Sequence, residues 1–218
     1  SASTLAKSLS LLPVFIAFVP LWLYAPVNVD FHHDGYQYAS AVALQEGRLP
    51  HEEVFLQYGP VTSWLHAFVL EVSGSNSLIN LRYLAAALVS VAALQMILLG
   101  RYLGISLLKV SLVSGLWVVL SPAWLLASDS STLLPWPSLT FLILQLLAIG
   151  LLVVAYRRRW SKFAVAAAFA FAGLAIMTRL HLGLLLVVAM YGALCLSREC
   201  RREWRRWLIP SAIGLPVG

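Results

Sequence analysis

Charge is scarce in this chain: Asp, Glu, Lys and Arg make up 11% of its 218 residues, while 61% are hydrophobic. A soluble globular domain carries roughly 25% charged residues, so that class is excluded. A mean hydropathy of +0.84 agrees. Cysteine is almost missing. Cys195 and Cys200 are the two present. They flank a predicted helix end and show neither a disulfide framework nor zinc-ligand spacing. Strict alternation of apolar and polar residues is absent, which excludes a transmembrane β-barrel. The net charge is +6, but the basic residues sit in clusters between apolar runs. That is the arrangement of a topology signal and not of a phosphate-backbone binder, so nucleic acid is not an expected partner.

What is there is a series of apolar runs of about 17 residues or more, the mark of an all-α polytopic membrane protein. The first span covers residues 8–27, after the basic Lys7. The run is longer than a signal-peptide core and no Ala-x-Ala site ends it, so it reads as a retained helix. Pro13 and Pro20 predict a kink within it, and Trp22 and Tyr24 fall at the interface preferred by amphipathic rings. Further spans cover residues 78–101, 107–127 and 133–156. Residues 163–178 and 181–197 form a hairpin of two shorter helices, and residues 207–218 begin a seventh span that stays incomplete. The expectation is about seven transmembrane helices.

Residues 30–76 form an outer loop with two juxtamembrane helices. The first runs from Tyr36 to Glu46, with Gly47 as its C-cap. The second starts at Pro60 and places Val61, Trp64, Leu65, Phe68 and Val72 on one face, with Thr62, Ser63, His66 and Glu71 on the rest. About 14 residues are too few to cross a bilayer, so it should lie on the membrane surface. The competing reading, a short span, would invert every later one.

Charge balance supports a cytoplasmic N-terminus. That orientation puts Lys7, Arg101, Lys109, Arg157, Arg158, Arg159, Lys162, Arg198, Arg201, Arg202, Arg205 and Arg206 inside. It leaves Arg48, Arg82 and Arg179 outside, with Asp30, Asp34, Glu46, Glu52, Glu53, Glu71 and Asp129. Every inner loop then obeys the positive-inside rule.

The outer face therefore collects the groups with chemistry. Residues 30–60 hold three of the five histidines and five of the nine acidic residues. A carboxylate at a membrane boundary suits proton abstraction from a hydroxyl, and a nearby arginine suits an anionic phosphate through its planar donor fork. Asp34 is the candidate base, with a plain turn or helix N-cap as the alternative. Arg179, His181, His33, Tyr58 and Asp129 are candidate substrate contacts. For Arg179 the alternative is snorkelling to the headgroups. His32, His33 and Asp34 are weak candidates for a divalent metal ion, because adjacent histidines in a loop are poor evidence for one. No other cofactor is indicated. Trp124 and Trp136 read as aromatic belt, and the basic clusters as topogenic with secondary contact to anionic lipids.

Three short stretches carry a resemblance: His33-Asp34-Gly35-Tyr36, Gly47-Arg48-Leu49-Pro50 and Gln57-Tyr58-Gly59-Pro60. Together they resemble the first outer loop of the GT-C glycosyltransferases, polytopic enzymes that use polyprenyl-phosphate-linked sugars and include the protein O-mannosyltransferases and the aminoarabinose transferase of lipid A. Leu81-Arg82-Tyr83-Leu84 and Gly173-Leu174-Ala175 with Thr178-Arg179 are similar to the family's next span and its short-helix hairpin. The resemblance implies Asp34 as general base, inverting transfer to a hydroxyl acceptor, and Arg179 near the lipid phosphate. It implies a site on the outer side of a bacterial plasma membrane. The chain departs from the family where Leu133-Leu134-Pro135 stands in place of a second acidic residue. Relatives also continue beyond a seventh span, so the chain reads either as a fragment of such an enzyme or as one half of a split one, completed by a partner chain.

Two other classes compete. A non-catalytic membrane subunit, a split or degenerate module, would bind lipid or scaffold a larger complex. A transporter would need a carboxylate or a broken helix pair at a span centre, and the spans show neither.

Overall fold

The computed structural model describes residues 2–27, 33–120, 137–158, 160–196 and 198–217. Among them no strand is present; the regular elements are helices. They are α1 (Ala2–Tyr24), α2 (His33–Gln45), α3 (Val61–Ser73), α4 (Leu78–Tyr102) and α5 (Leu107–Leu120), then α6 (Pro137–Arg157), α7 (Lys162–Thr178), α8 (Leu180–Leu196), α9 (Arg198–Arg202) and α10 (Trp204–Gly214), with a 3-10 turn at Leu215–Val217. Three segments are long and apolar enough to cross a membrane: Lys7–Tyr24, Leu78–Tyr102 and Pro137–Arg157. Leu107–Leu120, Lys162–Thr178 and Leu180–Leu196 are shorter apolar helices. The ends of the expected spans at residues 121–127 and 133–136, with Trp124 and Trp136, lie outside the described residues.

The chain forms two compact units, Ser1–Phe55 with Ser63–Leu139, and Leu56–Thr62 with Thr140–Gly218. In the first unit α1 packs on α5 and α4. Val14, Ala17 and Leu21 are buried, while Phe15, Ile16, Val19 and Leu23 are exposed. A Cβ added at Gly115 of α5 would lie 2.8 Å from the Pro13 carbonyl oxygen, so this crossing requires glycine. Ala85, Ala86, Val89 and Ala93 of α4 complete the cluster. A second cluster, Ala41, Ala67, Leu70 and Leu81, joins α2, α3 and α4.

In the second unit, α7 packs between α8 and α10. Ala164, Ala168, Ala172 and Ala175 are buried along α7. Phe169 meets the Tyr191 ring at 4.7 Å, and Tyr191 meets Trp207 at 6.2 Å. Tyr191 donates a hydrogen bond to Ser211 Oγ at 2.9 Å.

The first interior is rich in alanine and valine, the second mixes alanines with Phe169, Leu186, Met190 and Trp207, and both exteriors carry many large apolar residues. In water that order would be unfavourable, because exposed apolar area costs roughly 25 cal/mol per Å². In a bilayer it is the stable arrangement: lipid tails cover the large side chains, and small residues let helix backbones approach. Helix α3 shows the same inversion. Trp64, Phe68 and Val72 of its apolar stripe are exposed, while Ser63 and His66 are buried.

Candidate functional site

The first-unit site begins where α1 ends. The last carbonyls of a helix have no intrahelical donor, and just past the end of α1 the turn that follows Tyr24 adds those of Ala25 and Val27. Arg82, in the second turn of α4, meets both. Its Nε donates to the Ala25 carbonyl and its Nη2 to the Val27 carbonyl at 2.7 Å. Its Nη1 donates to Asp34 Oδ2 at 2.8 Å. Asp34 is 0% and Arg82 1% exposed.

This geometry has an electrostatic reason. Arg82 places positive charge against the negative end of α1, and Asp34 places negative charge in the first turn of α2, at its positive end. The ion pair thus complements two helix termini and joins α1, α2 and α4. A lone guanidinium buried in an apolar helix would be expensive. Here hydrogen bonds and a counter-charge offset that cost.

Asp34 lies inside α2, whose first residue is His33, so it is not the N-cap of a helix beginning at Tyr36. Gln37, Ser40 and Ala41 continue its buried face. From α3, Ser63 and the fully buried His66 add polar groups to the interior of the same unit. Gly47 takes a left-handed φ of +82° just past the end of α2, and Arg48 N–H donates back to Ala43 at 3.1 Å. The loop after it is held by Tyr36, whose hydroxyl donates to the Phe55 carbonyl at 3.0 Å, and by Glu53, which accepts from Leu49 N–H at 2.8 Å.

The second unit holds Tyr58, Arg179 and His181. Helix α7 stops at Arg179, whose backbone is extended (φ −145°, ψ 96°), and α8 begins at the next residue. Across that tip runs the Gln57-Tyr58-Gly59-Pro60 segment. Gly59 N–H donates to the Thr178 carbonyl at 3.2 Å. A Cβ on Gly59 would overlap the Met177 carbonyl, so no other residue fits without moving backbone. The Arg179 guanidinium carbon lies 5.0 Å from the centre of the Tyr58 ring, within cation–π range. His181 is exposed on the first turn of α8.

Of the residues singled out in the sequence, the structure therefore brings Tyr58 and Arg179 together. Asp34 is paired with Arg82, which the sequence offered as an outer-side charge and as part of the Leu81–Leu84 stretch, without naming its partner. His33 opens α2, and its side chain lies outside the described set, as do Asp129, Asp30 and His32. Among the described residues no three His, Cys, Asp or Glu side chains are grouped to hold a metal ion. Cys195 is exposed. Arg82 carried one usable signal: a charge at the start of an apolar run demands a partner. The sequence does not say which, because 48 residues separate it from Asp34.

No protein-family model, curated protein or solved structure matches the chain.

Proposed function

We propose that the chain is the conserved module of a GT-C-type membrane glycosyltransferase. About seven helices would cross a bacterial plasma membrane, with the N-terminus cytoplasmic, α2 and α3 on the outer surface, and the site facing outward. The donor is a polyprenyl-phosphate-linked sugar and the acceptor a hydroxyl. Asp34 accepts the hydroxyl proton as the acceptor oxygen attacks the anomeric carbon. The bond from that carbon to the phosphate oxygen breaks, its electrons leave on the polyprenyl phosphate, and the configuration inverts. Arg179, held over Tyr58, is the candidate partner of the phosphate charge.

The observation that carries this reading is the fully buried Asp34 carboxylate, fixed at the head of a short helix that follows the first apolar helix. Fixed orientation is what a general base requires. The test is transfer of a labelled sugar by the purified chain in lipid. Polyprenyl-phosphate sugar and a hydroxyl acceptor should yield a product of inverted anomeric configuration, read by NMR. Retention of configuration would rule out single displacement.

The second reading is a non-catalytic subunit that binds lipid or scaffolds a complex. The same ion pair favours it, since a carboxylate serving Arg82 and two helix ends has a complete structural role without chemistry. Under that reading no donor sugar is transferred by the chain.

A further inference from the structure

The basic cluster at the end of the second unit takes no part in the chemistry above. Arg202, Glu203, Trp204, Arg205 and Arg206 line an open surface pocket of about 530 Å³ where α9 passes into α10. Three guanidinium groups share this lining with one carboxylate. Glu203 accepts from Arg206 Nη1 at 2.9 Å, and Arg205 lies 5.3 Å from the centre of the Trp204 indole ring. The lining keeps a surplus of positive charge.

The surroundings indicate what would fill it. Leu196, at the end of the apolar α8, has 83% of its surface exposed, and Ile209 and Ile213 of α10 are each 60% exposed. A guanidinium-rich pocket followed and preceded in the chain by exposed apolar helix residues meets two chemistries at once. Guanidinium forks match phosphate oxygens. The apolar flanks match acyl chains, with an indole at headgroup level.

We propose that this cavity is a binding site for the phosphate-bearing headgroup of an anionic phospholipid, its chains lying along the exposed face of α10. A purely topogenic cluster requires positive charge alone, and lysine supplies that as well as arginine. A built phosphate site requires the planar fork and its stacking on Trp204, which lysine lacks. The two roles therefore separate under one substitution.

The full chain in neutral detergent, titrated with short-chain phosphatidylglycerol, should bind it at least tenfold tighter than phosphatidylcholine of equal chain length. Arg202→Lys, Arg205→Lys and Arg206→Lys combined should keep fold and charge yet bind about tenfold more weakly. The three glutamine substitutions should weaken binding on the order of 100-fold, about fivefold per arginine. Thermal unfolding of each variant reports that the helices remain intact. Glycerol phosphate should compete only at much higher concentration than the lipid. Equal binding of the two lipids overturns the proposal. So does a lysine variant that binds like the parent. Competition by glycerol phosphate at lipid-like concentration would reassign the cavity to a free anion and overturn it too.

Discussion

Two ion pairs in this protein have nearly the same length and opposite meaning. Arg82 and Asp34 meet at 2.8 Å with 1% and 0% of their side chains exposed. Arg206 and Glu203 meet at 2.9 Å with 56% and 40% exposed. Distance does not separate them; burial does. The exposed pair is screened and remains hydrated, so it contributes about 0–1 kcal/mol. The buried pair has given up its water. Removing either partner leaves the other's buried charge without this counter-charge, which costs about 3–5 kcal/mol. The buried pair also closes the ends of two helices, while the exposed one links residues three apart on a single helical segment.

The largest effect should come from Arg82→Ala. It removes the hydrogen bonds to Ala25, Val27 and Asp34 and leaves Asp34 buried, so stability in detergent should fall by about 3–5 kcal/mol. Adding Asp34→Asn to Arg82→Met should recover part of that loss, because the doubly neutral pair has no stranded charge. A double variant as unstable as the single one would break the contrast with the surface pair.

Gly59→Ala comes next. Its methyl group meets the Met177 carbonyl, and an overpacked site costs roughly 1–3 kcal/mol. Thermal unfolding should show a clear drop, whereas Gly35→Ala, whose added Cβ would meet no atom of another segment within 4 Å, serves as the control.

Smaller still is Tyr58→Leu. Loss of the contact with Arg179 should cost about 0.5–1 kcal/mol, measured as the coupling in a double-mutant cycle with Arg179→Gln. At the bottom, Glu203→Gln should change stability by less than about 1 kcal/mol, and moderate salt should erase the change. A large effect there would remove burial as the deciding variable.

How much of this was legible in the sequence follows from range along the chain. Helix α3 was visible in the spacing of Val61, Trp64, Leu65, Phe68 and Val72, and α4 in its apolar run, because both signals are local. The left-handed turn at Gly47 was visible for the same reason. Unreadable were the pairings. Nothing near Arg82 names Asp34, and nothing near Gly59 names Thr178. Each is a contact between segments far apart in the chain, so packing and not local sequence sets their approach. The inward turn of Ser63 and His66 was hidden as well. An amphipathic stripe reveals that a helix has two faces, and its surroundings decide which one is buried.

The central claim is that Asp34 does chemistry in addition to holding Arg82, and one variant separates the two roles. The Asp34→Asn, Arg82→Met chain removes the base and the buried charge together. Transfer from a polyprenyl-phosphate sugar should be measured beside its unfolding temperature and that of Arg82→Met alone. The account predicts a chain more stable than Arg82→Met with transfer reduced at least about 100-fold, the scale of general-base catalysis. Transfer at the parent rate by that folded double variant would contradict it and leave Asp34 as a structural residue.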